Sequence, residues 1–402
     1  MQSLDELNLR HLLAAVTICD VGSISACSKV LHLSQPAITH ALRKLEKQLG
    51  HKFYERYNQG MKPTAAGELF FPYVQDGLNR IATAIQTLRQ NNKLKPFLFP
   101  ERYVSYSQLH AFLAVLEAGS YSGAARKLGL SQPSIYRSVR DLGQFLEIPL
   151  FLSNRDGLLV GSFVWQFAEQ IQLALACILS GLDELSTLQD PGIGRIAIGS
   201  LPLAHSALLP GLLARFSDRF PKAAITVAEG LYTELLSQLR RGDIDFIFGA
   251  LRTGGLDPNI EQTKLFTDEL FVVGRSNHPA ANICPSPSIL ARYPWVVASA
   301  NSPSRHVWEA FFQAEGLALP VQSIETGSVL LARNLMCNGD WLTLMSPYQF
   351  ELEEKHGVLT RIGPPVPGSA RPIGLTIRQN WRPTSLQTDF LNLTRDSACC
   401  PP

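Results

Sequence analysis

The chain has 402 residues, enough for roughly two to four domains with separate cores. Its composition, 46% hydrophobic and 17% charged, is that of a globular protein and excludes a disordered or collagen-like chain. There is no run of 18 uninterrupted apolar residues and no basic start followed by an apolar segment, so we expect a cytoplasmic protein without membrane contact.

The net charge of +2 hides an asymmetry along the chain. Residues 1–161 hold 18 Lys and Arg against 12 Asp and Glu, whereas residues 162–402 hold 18 against 22. A basic front segment favours a polyanion as partner, although chance variation of the surface charge would give the same numbers.

A repeat occupies this basic front segment. The motif Leu33-Ser34-Gln35-Pro36 recurs 97 residues later as Leu130-Ser131-Gln132-Pro133. The same offset aligns Gly22-Ser23 with Gly119-Ser120, Leu31 with Leu128, Ile38 with Ile135, Arg43 with Arg140, Leu45 with Leu142 and Leu49 with Leu146. The front of the chain therefore contains one module twice.

Within the first copy, apolar residues at helical spacing between Leu9 and Ile18 predict a helix that ends near Gly22. Ser23 is placed to cap a second short helix. Ser34 is placed to cap a third, which runs to about residue 49 with a proline in its first turn. Two short helices, a tight turn and a third helix are a helix-turn-helix arrangement.

The third helix has a polar outer face. Its apolar residues Ile38, Leu42, Leu45 and Leu49 form the inner stripe. That leaves outside Gln35, Thr39, His40, Arg43, Lys44 and Lys47. These residue types suit base edges and phosphates, although any surface helix is polar on its outer side.

Five short segments of the first copy together resemble the winged helix-turn-helix of LysR-type transcriptional regulators. They are Ser34-Gln35-Pro36-Ala37-Ile38-Thr39, Leu45-Glu46, Leu49-Gly50, Phe53-Tyr54-Glu55-Arg56 and Pro63-Thr64-Ala65-Ala66-Gly67. In that family the third helix enters the major groove and an arginine of the wing holds the DNA. The resemblance assigns the groove to Gln35, Pro36, Thr39, His40 and Arg43, the wing to Arg56 and a backbone contact to Thr64, and Ser34 at the start of the helix is included among the DNA-binding residues. Family members often have Ser-Arg where this chain has Thr39-His40, so we expect a different base preference.

The second copy keeps only part of this DNA face. Its candidate DNA-binding residues are Gln132, Arg137 and Arg140. At the offset of 97, Arg56 becomes Ser153 and Thr64 becomes Gly161, with Arg155 as a substitute in the wing. Two interpretations stay open, a weakened DNA contact and a docking or dimerisation module.

Each copy is followed by a long apolar helical pattern, over residues 67–88 and 163–185. Both stripes are too apolar to stand alone in water, which favours helix pairing of the kind that joins subunits in the resembled family. We therefore expect a homo-dimer or homo-tetramer through these linker helices.

From Gly194 onward, short apolar strands alternate with amphipathic helices, which predicts an α/β region with a largely parallel sheet. The predicted strands are 195–199, 224–228, 246–248, 270–274, 295–298, 321–325, 341–345, 359–362 and 374–378, and the predicted helices are 204–220, 233–241, 306–315, 328–337 and one from 385. This region resembles the effector-binding domain of the same regulators, similar to type 2 periplasmic binding proteins. That fold implies two lobes with a ligand between them.

Candidate effector-binding residues lie where these strands end and helices begin. They are Ser200, Leu201, Pro202, Tyr232, Thr233, Gly249, Ser299, Asn301, Thr326 and Ser328. Hydroxyls and free N–H groups at helix starts favour a carboxylate, so we expect a small organic acid, preferably aromatic. A sugar remains the alternative, with Asn301 and Glu325 as acceptors, and each Ser or Thr is individually also explained as a helix cap.

Enzyme motifs are missing from the sequence. Gly192-Ile193-Gly194-Arg195-Ile196-Ala197 matches a dinucleotide fingerprint formally, but it follows a helix and opens a strand, the reverse of the required order. Asp243 and Asp245 are two residues apart and so face opposite sides of an extended segment, which argues against an acid/base pair. The nine His and seven Cys show no metal-ligand spacing, so we expect no cofactor, metal or catalytic residue.

These observations predict a mixed fold: two all-α winged helix-turn-helix modules with linker helices, then a two-lobed α/β domain. The expected boundaries are 1–66 and 101–161 for the modules, 67–100 and 162–190 for the linkers, and 191–402 for the effector domain, with lobe I at about 191–268 and 347–402 and lobe II at about 269–346. The predicted function is transcriptional regulation by binding of double-stranded DNA in response to a small organic effector. The alternative is a metabolite-binding protein whose tandem modules make protein contacts only.

Overall fold

The computed structural model describes residues 7–57, 60–154, 157–201, 208–252, 257–281, 283–300 and 302–398. The chain forms two compact units. The helical unit comprises residues 1–194 together with the short segments 240–243 and 382–385, and the α/β unit comprises 195–239, 244–381 and 386–402.

The first copy of the repeat folds as the caps and apolar spacing predict. Its elements are α1 (Leu9–Val21), α2 (Ile24–Leu31), α3 (Gln35–Leu49), β1 (Tyr54–Tyr57), β2 (Gly60–Pro63) and α4 (Ala65–Asn91). The Ser23 and Ser34 hydroxyls accept hydrogen bonds from the N–H groups of Ala26 and Ala37, which begins α2 and α3. Gly50 ends α3 with a φ of 74°, a left-handed conformation that favours glycine.

The second copy has the same elements. They are α5 (Tyr106–Ala118), α6 (Tyr121–Leu128), α7 (Gln132–Leu146), β3 (Leu152–Asn154), β4 (Gly157–Leu159) and α8 (Ser162–Ser186). Each of the four helices begins 97 residues after its counterpart in the first copy. The repeat in sequence is therefore a repeat in structure.

The two long helices α4 and α8 pack on each other within one chain. The expectation from sequence was pairing between subunits; here each apolar stripe is buried by the other helix of the same chain. By length and composition α8 could also span a membrane, as could α1 and α2 if they were one bent span. The contact with α4 accounts for the apolar stripe of α8, which includes Ile171, Leu175 and Ile178.

The remaining elements alternate between strands and helices. In chain order they are β5 (Gly194–Ser200), α9 (Leu208–Arg219), β6 (Ala223–Glu229), α10 (Tyr232–Arg241), β7 (Phe246–Ala250), β8 (Ile260–Asp268), β9 (Phe271–Arg275), α11 (Pro287–Leu290), β10 (Trp295–Val297), α12 (Pro303–Gln313), β11 (Ser323–Glu325), α13 (Val329–Cys337), β12 (Leu342–Met345), α14 (Pro347–Lys355), β13 (Leu359–Arg361), β14 (Arg371–Arg378) and α15 (Ser385–Ala398). They form two five-stranded sheets, β6-β5-β7-β14-β8 in lobe I and β11-β10-β12-β9-β13 in lobe II.

Both sheets are mixed, which corrects the expectation of a largely parallel sheet. β14 runs antiparallel to β7 and β8, and β9 runs antiparallel to β12 and β13. The nine-residue strand β8 was missed because its burial does not alternate regularly.

The prediction from sequence that the chain returns to lobe I at residue 347 is wrong. Strand β13 pairs with β9 in lobe II, with Leu359 opposite Arg275, so the chain returns only at β14. Lobe II therefore runs from β9 to β13. A strand of three residues carries too little pattern to reveal which sheet it joins.

A partly buried carboxylate lies at the start of β7. Asp245 accepts a hydrogen bond from the Ala197 N–H at 2.8 Å, which ties β7 to β5. Burial raises the pKa of Asp245 to about 6. Asp243 is exposed and pairs with Arg241 at 2.9 Å, so the two aspartates have separate partners.

The raised pKa of Asp245 predicts a pH-dependent stability. An aspartate has a pKa of about 3.9 in an unfolded chain, so the folded state holds this proton more tightly. The stabilising contribution is fully present below about pH 4 and is lost as the pH rises through about 6. At 1.36 kcal/mol per unit, the shift corresponds to about 3 kcal/mol. In denaturant melts, the free energy of unfolding of Asp245→Asn relative to wild type should rise by about 3 kcal/mol from pH 4 to pH 7. Asp243→Asn should show no such rise.

Candidate DNA-binding surface and effector cavity

The outer face of α3 presents the residues expected to contact DNA. Gln35, Pro36, His40 and Arg43 are exposed. Ser34 is exposed as well but serves as the helix cap, and the Thr39 hydroxyl donates to the Gln35 carbonyl at 2.9 Å. Among the residues that the structure describes, no carboxylate pairs with Arg43, which leaves its guanidinium available to a ligand.

The wing next to α3 is the antiparallel hairpin β1–β2, in which Arg56 lies opposite Met61 and is exposed. The Thr64 hydroxyl donates to the Lys52 carbonyl at 2.6 Å and accepts from the Gly67 N–H at 3.3 Å. Its only proton is therefore donated to the Lys52 carbonyl while its oxygen caps α4, and donation to a phosphate by this hydroxyl would require the bond to Lys52 to break.

The second module exposes its three candidate residues, Gln132, Arg137 and Arg140, on α7. Asp141, at the position of Lys44, pairs with Arg140 at 3.1 Å and lowers the positive charge of this face. In its wing, the exposed Leu152 replaces Glu55. The proposed substitute Arg155 lies outside the described residues.

A cavity of about 170 Å³ lies in the α/β unit, lined by residues of both lobes. Three helices, α10, α12 and α13, begin at its wall. Of the residues expected there, the structure places these in the lining: Leu201, Tyr232, Ser299, Thr326 and Ser328. The cavity adjoins a wider cleft, with which it shares Ser328 and Gln349.

Of the other five expected residues, two are not described and three lie outside the lining of this cavity. Pro202 and Asn301 lie outside the described residues. Ser200 is fully buried in β5, on the side of the strand opposite to Leu201. Thr233 is exposed one position after Tyr232, and Gly249 packs against the Leu201 side chain.

The most informative cavity residue, Arg252, was missed from sequence. It lies two residues beyond the end of β7, and its guanidinium is 4.6 Å from the centre of the Tyr232 ring. Burial lowers the pKa of Arg252, and the neighbouring positive charge of Arg371 lowers it further. Within the described part of the chain, no carboxylate pairs with Arg252, so the cavity holds a half-buried cation in need of an anion.

The second arginine of the cavity, Arg371, is already neutralised. It donates twice to Asp268 Oδ2, at 3.0 and 2.8 Å, and once to the Ser304 hydroxyl at 2.8 Å. Asp268 also accepts from the Ser346 hydroxyl at 2.6 Å. Arg371 therefore acts as a positioning residue that joins lobe I to the start of α12.

Family models match nearly the whole chain. The model described as "LysR substrate binding domain" matches residues 189–399. The model described as "Bacterial regulatory helix-turn-helix protein, lysR family" matches twice, at 9–68 and 106–160. The chain belongs to the LysR family of bacterial transcriptional regulators. Like other LysR regulators it binds DNA, responds to a small-molecule effector and forms oligomers, and the relatives that it matches are transcriptional regulators.

Similar proteins agree with this family. The HTH-type transcriptional regulator GalR of Pseudomonas putida is 29% identical over 371 residues, 92% of both chains, so its match extends into both winged helices. PcaQ of Agrobacterium fabrum is 23% identical over 302 residues, 74% of this chain and 96% of PcaQ.

Solved structures share the fold. The LysR family regulator CbnR matches with a TM-score of 0.53 and 20% identity, over 72% of this chain and 98% of CbnR. A full-length OxyR variant from Pseudomonas aeruginosa matches with a TM-score of 0.52 and 17% identity, over 73% and 94%. Each match leaves about a quarter of this chain uncovered, as expected if these proteins have a single winged helix.

Proposed function

We propose that this LysR-family member is regulated by a small organic acid, preferably aromatic, whose carboxylate binds Arg252 in the cavity between the lobes. The observation that carries the proposal is the half-buried Arg252, which has no carboxylate partner among the described residues. A buried cation without a counter-ion costs free energy that an anionic ligand would recover.

Other features of the cavity support an acid. The starts of α10, α12 and α13 contribute the positive ends of three helix dipoles. Tyr232 and Trp308 supply aromatic surface for a ring, and the buried indole N–H of Trp308 has no acceptor in the described part of the chain. A volume of about 170 Å³ is below the roughly 300–1,000 Å³ of drug-sized sites, which suits a compact ligand.

The sugar alternative is less well supported. The described lining contains no Asp or Glu to accept hydrogen bonds from sugar hydroxyls. Glu325, the expected acceptor, pairs instead with Arg305 at 3.3 Å. A neutral ligand would also leave Arg252 without a counter-charge.

Calorimetry with benzoate, hydroxylated benzoates and the matching benzamides tests this proposal. Because the acid and the amide differ mainly in charge, we expect wild-type protein to bind at least one acid about tenfold or more tightly than its amide. Equal affinity for acid and amide, or tight binding of a sugar with no response to any acid, would overturn the carboxylate assignment.

For the DNA contacts, we propose that α3 and its wing bind the operator through Gln35, Pro36, Thr39, His40, Arg43 and Arg56, with Ser34 as cap. The exposure of all of these residues except the half-buried Thr39, and the positive charge of the two arginines, support this role. We propose domain boundaries near residues 66, 100, 161 and 190, as expected from sequence, and a cytoplasmic location, where the family's DNA target lies.

A further inference from the structure

The pairing of α4 with α8 relates the two winged helices of one chain to each other. A Cβ added at Gly77 would lie 2.5 Å from Ile178 Cγ1 and 2.8 Å from the Ala174 carbonyl oxygen. A Cβ added at Gly181 would lie 2.9 Å from Tyr73 Cβ. Gly77 of α4 faces Ala174 and Ile178 of α8, whereas Tyr73, nearer the start of α4, faces Gly181, nearer the end of α8. The two helices are therefore antiparallel and closely packed.

These contacts have the pattern of a two-fold axis. Ala174 is the counterpart of Gly77 at the repeat offset of 97, and the two positions face each other. Contact between equivalent residues is characteristic of an isologous interface, the kind found in symmetric dimers. The helical unit thus has the internal symmetry of a dimer of winged helices, formed by one chain.

Two further contacts fasten each module to the opposite long helix. Arg89, near the end of α4, is buried and donates to the Leu146 carbonyl at the end of α7 at 2.9 Å. Gln189, just after α8, lies 3.2 Å from His51 Nε2, just after α3. These reciprocal contacts connect the ends of α3 and α7 with the helix pair.

We propose that a single chain reads two unlike DNA half-sites, the first with α3 and the second with α7. This inference rests on the proposed DNA contacts of the first module. The second module keeps exposed arginines at 137 and 140 but has Asp141 in place of Lys44 and Ser153 in place of the wing arginine Arg56. The operator is therefore asymmetric, and the second half-site contributes the smaller share of the affinity and of its salt dependence.

The test uses a DNA duplex that the full-length protein has selected from random sequence. Each base pair of this duplex is changed in turn and the affinity is measured, and native mass spectrometry gives the number of bound chains. We expect two clusters of sensitive base pairs for each bound chain. Arg140→Ala should flatten one cluster and lower affinity roughly tenfold to a hundredfold, and Arg43→Ala should flatten the other. Arg395→Ala, an exposed arginine on α15, serves as the control and should change neither.

The outcomes separate the two proposals. One cluster per chain, with Arg140→Ala without effect, overturns the second half-site and leaves the second module as a protein-contact surface. Its exposed Leu152, Leu159 and Trp165 would then be the residues to examine. If Arg43→Ala also has no effect, the proposed DNA contacts of the first module fail as well. Arg89→Gln provides a second variant, which leaves both DNA-contact surfaces unchanged and removes the contact between α4 and α7. We expect this variant to lose only the second cluster of sensitive base pairs. Persistence of both clusters would contradict the rigid pairing of the two modules.

Discussion

Replacing Arg252 by Gln is expected to abolish the preference of the protein for aromatic acids over their amides. The side chain supplies the one cavity cation that no described carboxylate neutralises, so its loss leaves a bound carboxylate desolvated and unpaired. Removing one member of a buried charge pair costs about 2–5 kcal/mol. That cost corresponds to a rise of roughly 30-fold or more in Kd, measurable by calorimetry.

The matched control for this prediction is Arg275→Gln. Arg275 also belongs to the α/β unit and is partly buried, but it pairs with Asp340 at 2.8 Å and does not line the cavity. Acid affinity should stay within about twofold of wild type in this variant. If Arg252→Gln binds the acids as wild type does, the cavity residue has been misassigned; if the Arg275 variant loses binding equally, the effect is one of folding.

Replacing Arg43 by Ala is expected to reduce sequence-specific DNA binding without unfolding the protein, because the side chain is exposed and makes no described ion pair. A good contact to a base edge contributes about 1–3 kcal/mol of discrimination. Arg56→Ala should instead weaken binding to all sequences alike and lower the salt slope by about one, as expected for a lost phosphate contact. Titrations of operator and scrambled duplexes at several salt concentrations distinguish the two.

Lys52→Ala provides a structural comparison for these variants. Lys52 is exposed and close to the wing, but its amine pairs with Glu46 at 2.6 Å. Its replacement should affect the stability of the module more than its base discrimination. Unchanged operator affinity in both the Arg43 and Arg56 variants would show that this face does not contact DNA.

The sequence alone determined the winged helices, because their signals are local. Caps such as Ser23 and Ser34, glycines such as Gly50 and apolar residues at helical spacing act within one or two turns, and the second copy repeats them at a fixed offset. The same residues also sufficed to recognise the family, which the family models confirm over both copies.

Tertiary structure decided the features that depend on distant partners. An apolar stripe shows that a helix such as α4 must be covered, but the stripe does not show whether α8 of the same chain or another subunit covers it. Three-residue β13 could have joined either sheet until its pairing with β9 was known. Arg252 could be recognised as a candidate ligand-binding residue only from the folded structure, in which no described carboxylate pairs with it. The absence of a counter-ion depends on three-dimensional packing and leaves no pattern along the chain.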